Sequence, residues 1–150
     1  KESRARVLRM GISQISGASS TSVGGYVEKE KEEENSAQFD VSDTRTLDEV
    51  VHWLLENDHI PSFCTACYRE GRTGDNFMKY AKTGTIAKMC QPNALMTLQE
   101  YLYDYASPAT KDLGEKVIAK EIDLIQDEKI KTRVLEYLEE LKQGQRDFRV

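Results

Sequence analysis

Cys64, Cys67 and Cys90 are the only thiols in the 150-residue chain, and they stand in the spacing C-x2-C-x22-C. A C-x-x-C pair lets two thiolates reach one metal or cluster across a single tight turn, and zinc and iron–sulfur sites both use it. Thiolate is a soft ligand, suited to zinc or iron rather than to magnesium or calcium. Three thiols are one short of a tetrahedral set, so the fourth position decides the chemistry. A closed structural zinc site would take a histidine there, and the chain has two. His59 precedes Cys64 closely enough to fold back, whereas His52 falls beside a helical apolar stripe, where a histidine usually flanks the core. In the other reading, three cysteines hold a 4Fe–4S cluster whose fourth iron has no protein thiolate and can take an exogenous ligand. Ligand logic alone leaves the two about even.

The charge around these thiols differs from the rest of the chain. The whole carries a formal net charge of -5 with a pI near 5.2, which argues against a general nucleic-acid binder. Between Cys64 and Cys90, Arg69, Arg72, Lys79, Lys82 and Lys88 stand against Glu70 and Asp75, a local balance of +3. That field favours anionic ligands near the cysteines, with Arg69, Arg72 and Lys88 the nearest candidates. An odd cysteine count without a secretion signal does not suggest a disulfide framework, so thiols reserved for metal in a cytoplasmic protein are expected. No apolar run approaches the ~20 residues needed to span a bilayer, so no membrane is expected. The chain begins "KESRARVLRMG" and is read as a fragment whose N-terminal part is missing.

Elements to position these residues can be read along the chain. "SRARVLRMG" predicts a short helix stopped by Gly11, and "ISQIS" a strand running into the polar loop "GASSTSVGGY". Helix, strand and polar loop read as the end of a parallel α/β barrel, where loops after the strands form the active face. "EKEKEEE" is a charge run with no apolar face, a solvated connection. From Thr46 the pattern is helical. "TLDE" is a capping box, and Leu47, Val50, Val51, Leu54 and Leu55 form one stripe, ending near Asn57. A short helix is expected over about 75–82. Pro92 should open the next, burying Leu95, Leu98, Leu102 and Tyr105. Ser107-Pro108 opens another, using Leu113, Val117, Leu124 and Ile125, and the last should run over about 128–143.

The segments "ISQISGASSTSVGGY", "IPSFCTACYREGRTGDNFM" and "CQPNALMTLQEYLYDYA" resemble the C-terminal part of the radical S-adenosylmethionine tyrosine lyases that mature FeFe-hydrogenase. In that family C-x2-C-x22-C marks an auxiliary cluster, and the related thiamine-pathway lyase lacks it. The resemblance covers nearly the whole chain except the acidic run, and it favours the open iron.

The resemblance implies the end of a TIM-type α/β barrel, its last helix and strand, over residues 1–27. An acidic linker over 28–45 and a mainly α-helical auxiliary-cluster domain over 46–150 would follow. It implies a lyase that cleaves tyrosine to p-cresol and dehydroglycine, and converts dehydroglycine to carbon monoxide and cyanide. Cys64, Cys67 and Cys90 would hold the auxiliary 4Fe–4S cluster, with an additional iron carried by free cysteine. Ser16, Ser19 and Ser20 would lie near the amino and carboxylate end of the tyrosine. S-adenosylmethionine and a second 4Fe–4S cluster would belong to a preceding part, whose C-x3-C-x2-C motif is absent here, so this chain alone should not cleave tyrosine. Other hydrogenase maturation proteins would be its partners. A structural zinc-binding helical domain and a docking module are the alternatives.

Overall fold

The computed structural model describes residues 2–12, 14–19, 43 and 45–150. Ala5 and Leu8, three residues apart, form the buried face of a first helix, α1 (Glu2–Arg9). Gly11 then takes φ +95°, a left-handed conformation that glycine adopts without a Cβ penalty, and the helix stops where the sequence predicts.

The expected strand does not form. Residues 12 and 14–17 carry no strand, and no strand occurs among the described residues. A strand exists through its ladder to a neighbour, and no described segment supplies one. Residues 14–19 instead run against the next helix, α2 (Leu47–Glu56): a Cβ on Gly17 would lie 3.0 Å from Cγ1 of Val50. The helical part of the expected architecture is present. The acidic run at 28–34 lies outside the described residues.

Thr46 caps α2 as expected. Its hydroxyl accepts from the Glu49 N–H at 3.3 Å, and the Glu49 carboxylate accepts from the Thr46 N–H at 2.7 Å. Asn57 closes the helix. A one-turn helix, α3 (Ala66–Arg69), lies in the cysteine segment, and α4 (Gly74–Lys82) follows. Three longer helices complete the chain: α5 (Thr85–Asp104), α6 (Pro108–Asp123) and α7 (Glu128–Lys142). Ser107 caps α6 and Asp127 caps α7 through their side chains.

Helix α5 is the centre of the bundle. It packs against α4, α6 and α7, while α2 packs against α6. Val51 and Leu55 of α2, Leu95, Met96, Leu98 and Leu102 of α5, Ile118 of α6 and Val134 and Leu141 of α7 share one core. Burying such a side chain contributes about 1.5–3 kcal/mol. Gly114 sets the closest approach: a Cβ there would fall 2.5 Å from Cδ1 of Leu102, so α6 comes this near to α5 only with glycine. The tail folds back, with Phe148 stacked on Tyr137 at 4.5 Å between centroids. Arg146 forks onto Asp104 at 2.9 and 2.6 Å.

Pro92 does not open α5. The helix begins at Thr85 and carries Pro92 inside it. Proline lacks the N–H that would bond the Lys88 carbonyl, a cost of ~3 kcal/mol in a helix interior. Here the ring is fully buried, which offsets part of that cost. Tyr105 and Leu124, expected on apolar faces, are 77% and 60% exposed, because each falls at its helix C-cap, beyond the last regular turn.

Candidate functional site

The three thiols come from three different local structures. Cys64 lies in the irregular stretch after α2, Cys67 in α3, and Cys90 in α5 two residues before Pro92. All three are free; Cys67 is half-buried and the other two are exposed. The segment is short of packing: no residue from Ser62 to Cys90 is buried, and Phe63, Tyr68, Met78, Tyr80 and Met89 expose large apolar surfaces.

Arg72 organises this region. Its backbone N–H donates to the Cys67 carbonyl at 2.8 Å, closing the turn after α3. Its guanidinium reaches the Cys67 sulfur and pairs with Glu70. The hydrogen bond to Cys67 is the main reason its pKa is raised above the ordinary guanidinium value, with Glu70 adding to it. Burial pushes the Cys90 thiol up, and negative charge on Cys67 and Cys64 adds to that while Arg72 opposes it. The three sulfurs therefore share one electrostatic neighbourhood. Arg69 and Lys88 are exposed on the same segment.

Among the described residues no group of three or more His, Cys, Asp or Glu side chains is gathered closely enough to hold a single metal ion. The histidines are engaged elsewhere. Nδ1 of His59 lies 2.5 Å from the Asn57 carbonyl, in the turn that ends α2. His52 bonds Thr110 Oγ1 at 3.2 Å and faces Glu56 at 3.7 Å. Neither histidine is engaged with the thiols.

Of the serines, Ser16 is exposed and its carbonyl accepts from Arg4 Nη1 at 2.8 Å; Ser19 is half-buried. Ser20 lies outside the described residues. Ser16 is tied to the cysteine region through a near neighbour: Gln14 Nε2 donates to the hydroxyl of Tyr68, the residue after Cys67.

Sequence reasoning missed two polar clusters. Asp43, inside the stretch read as an acidic linker, is 8% exposed and pairs with Arg4 and Arg45, each at 2.5 Å. The Arg45 hydrogen bond, opposed by burial and aided by both guanidinium charges, holds its carboxyl well below the usual carboxylate range. Asp48 accepts from the Ser107 hydroxyl at 2.7 Å, the Thr110 hydroxyl at 3.0 Å and the Ser107 N–H at 3.2 Å, joining the starts of α2 and α6. Burial would raise its pKa, but the bonds from Ser107, Thr110 and Tyr101 bring it below the ordinary value. Burial, with Asp48 beside it, pushes Tyr101 up to about 12. Tyr101 also stacks on Phe63, the residue before Cys64, at 5.6 Å, on one wall of an open groove of about 750 Å³. The signal for Asp48 was its place in the first turn of α2; for Asp43 there was only its nearness to Arg45.

Among the described residues no helix is long and apolar enough to cross a membrane. No protein-family model and no curated protein matches the chain. A solved structure does: "Crystal structure of HydG: A maturase of the [FeFe]-hydrogenase", 42% identical, with a TM-score of 0.85. The match covers 100% of this chain and 32% of that one, so the chain spans about a third of the length of the maturase it resembles. Identity and structural likeness at that level over the length of the chain mean that this chain belongs to the HydG family.

Proposed function

We propose that this chain is the C-terminal, auxiliary-cluster part of a radical S-adenosylmethionine tyrosine lyase that supplies carbon monoxide and cyanide for the FeFe-hydrogenase active site. The observation that carries the reading is the 42% identity to HydG along the whole chain, joined to three thiols in one electrostatic neighbourhood. In this reading the barrel end occupies 1–27, a linker 28–45 and the cluster domain 46–150.

Cys64, Cys67 and Cys90 are the donors for a 4Fe–4S cluster, and free cysteine carries the additional iron. When bound, that group supplies an open iron position to the diatomic products. Arg72 keeps positive charge beside the Cys67 sulfur, which its guanidinium reaches. Arg69 and Lys88 extend this field, which attracts cyanide and a carboxylate-bearing intermediate. Ser16, Ser19 and Ser20 hold the amino and carboxylate end of tyrosine. S-adenosylmethionine, a second cluster and the bond cleavage that yields p-cresol and dehydroglycine belong to the preceding barrel. Other hydrogenase maturation proteins receive the product, in the cytoplasm.

The test uses the full-length enzyme with Cys64 and Cys67 both changed to Ala. Chromatography should show p-cresol formation substantially intact, while infrared carbonyl and cyanide stretches disappear from the same reaction. Wild-type yields of both diatomics would overturn the role given to this segment. Metal analysis separates the zinc alternative: anaerobically reconstituted protein should carry about four irons per chain, or five with the additional one. Stoichiometric zinc without iron would favour a structural module instead.

A further inference from the structure

We propose that Arg4 is a positioning residue that holds the serine-bearing segment 14–19 in place between the cysteine helix and α2. Three separate contacts converge on that segment. Gln14 donates to the Tyr68 hydroxyl beside Cys67. Gly17 sits so close to Val50 of α2 that a Cβ would meet its side chain at 3.0 Å. Between them, the Ser16 carbonyl accepts from Arg4 Nη1 at 2.8 Å.

The same Nη1 is 2.5 Å from Oδ2 of Asp43, and that carboxylate is anchored from the other side. Arg45 grips it through Nε at 2.8 Å and Nη2 at 2.5 Å, and the Arg45 guanidinium lies 4.6 Å from the centre of the Trp53 ring. Asp43 is buried and the Arg45 side chain is nearly so, with side-chain exposures of 8% and 9%. Arg45 directly precedes Thr46, the cap of α2, so Asp43 is a fixed point on the helical part. Arg4 carries that fixed point across to the Ser16 carbonyl. A charge-assisted bond of this kind is stronger and more directional than a neutral one.

A consequence distinguishes positioning from simple stabilisation. Without Arg4, Asp43 keeps Arg45, so no buried carboxylate is left unpaired and the fold survives. What loses its donor is the backbone of the segment that carries Ser16 and Ser19. The inference rests on reading those serines as contacts to the tyrosine substrate, so the experiment has an arm for each.

In the full-length enzyme, Arg4→Ala should raise KM for tyrosine about tenfold, the order expected for one charge-assisted hydrogen bond, with kcat within about twofold. Arg4→Lys should restore KM to within about threefold, because a single ammonium can reach both acceptors. An unchanged KM in Arg4→Ala, or no recovery in Arg4→Lys, would overturn the role of Arg4. Should Arg4→Ala not fold, Arg4→Gln keeps an N–H for Ser16 without the charge; an intermediate KM supports the inference and a wild-type KM overturns it. Ser19→Ala tests the underlying reading on its own: a raised KM supports a serine contact to tyrosine, and an unchanged one removes it whatever Arg4 does.

Discussion

On the single helix α5, Leu95, Met96 and Leu98 are completely buried, while Met89, one residue from Cys90, is 46% exposed. The two ends of this helix belong to regions that obtain their order differently. The bundle of α2, α5, α6 and α7 closes on a shared apolar core, and its geometry follows from side-chain shape, as at Gly114 and Leu102. From Ser62 to Cys90 there is no buried residue, and beyond the Phe63–Tyr101 stack and the packing of α4 on α5 the contacts are helix hydrogen bonds, the Arg72 turn and a few polar pairs. Here the proposed cluster would supply, through its ligand bonds, the free energy that a core supplies elsewhere. The comparison separates stability from chemistry along the sequence.

The largest expected effect falls in the bundle. Leu95→Ala should cost about 2–5 kcal/mol and lower Tm, because the fully buried site cannot collapse around the missing atoms. Iron per folded chain should stay at the wild-type value; a variant that kept its Tm but lost iron would break the division. Asp48→Ala comes next, at about 1–3 kcal/mol, since Ser107 and Thr110 lose an acceptor. The pKa of Asp48 is lowered in the fold, so its contribution is fully present above the ordinary unfolded carboxylate value of about 3.9. It is lost as pH falls through the folded value. Thermal melts from neutral to acidic pH should therefore show the variant closing on wild type at the acid end. The smallest effect sharpens the other side: Met78→Ala, in a segment with no core, should change apoprotein stability by no more than about 0.5 kcal/mol. A loss of several kcal/mol by denaturant titration would mean that the cysteine region packs as the bundle does.

The same division explains how much of the molecule was legible beforehand. Val51, Leu55, Leu98, Leu102 and Val117 declared themselves through 3.6-residue spacing, and Thr46, Ser107 and Gly11 through their capping and stopping chemistry. The cysteine spacing named, without any knowledge of packing, three thiols whose charges the fold brings within reach of one another. What failed was read from too short or too local a pattern. "ISQIS" alternates, but alternation cannot supply a neighbouring strand. Pro92 looks like a helix start, and only the buried side of α5 shows why the helix runs through it. The Arg4–Asp43–Arg45 cluster joins residues 39 apart in sequence with no periodicity at all, so no pattern of spacing could have announced it.

Pro92 gives α5 a mechanical consequence. A helix transmits displacement because each carbonyl is tied to an amide one turn on, and at Pro92 that tie to Lys88 is missing. The missing bond lies within the turn that carries Cys90. Helix α5 is therefore one tie weaker at this turn than along the rest of its shaft, while Leu95 and Leu98 beyond it are seated in the core. A ligand held on Cys90, as proposed, would pull on the helix at its weakest turn, and the buried core begins only beyond it.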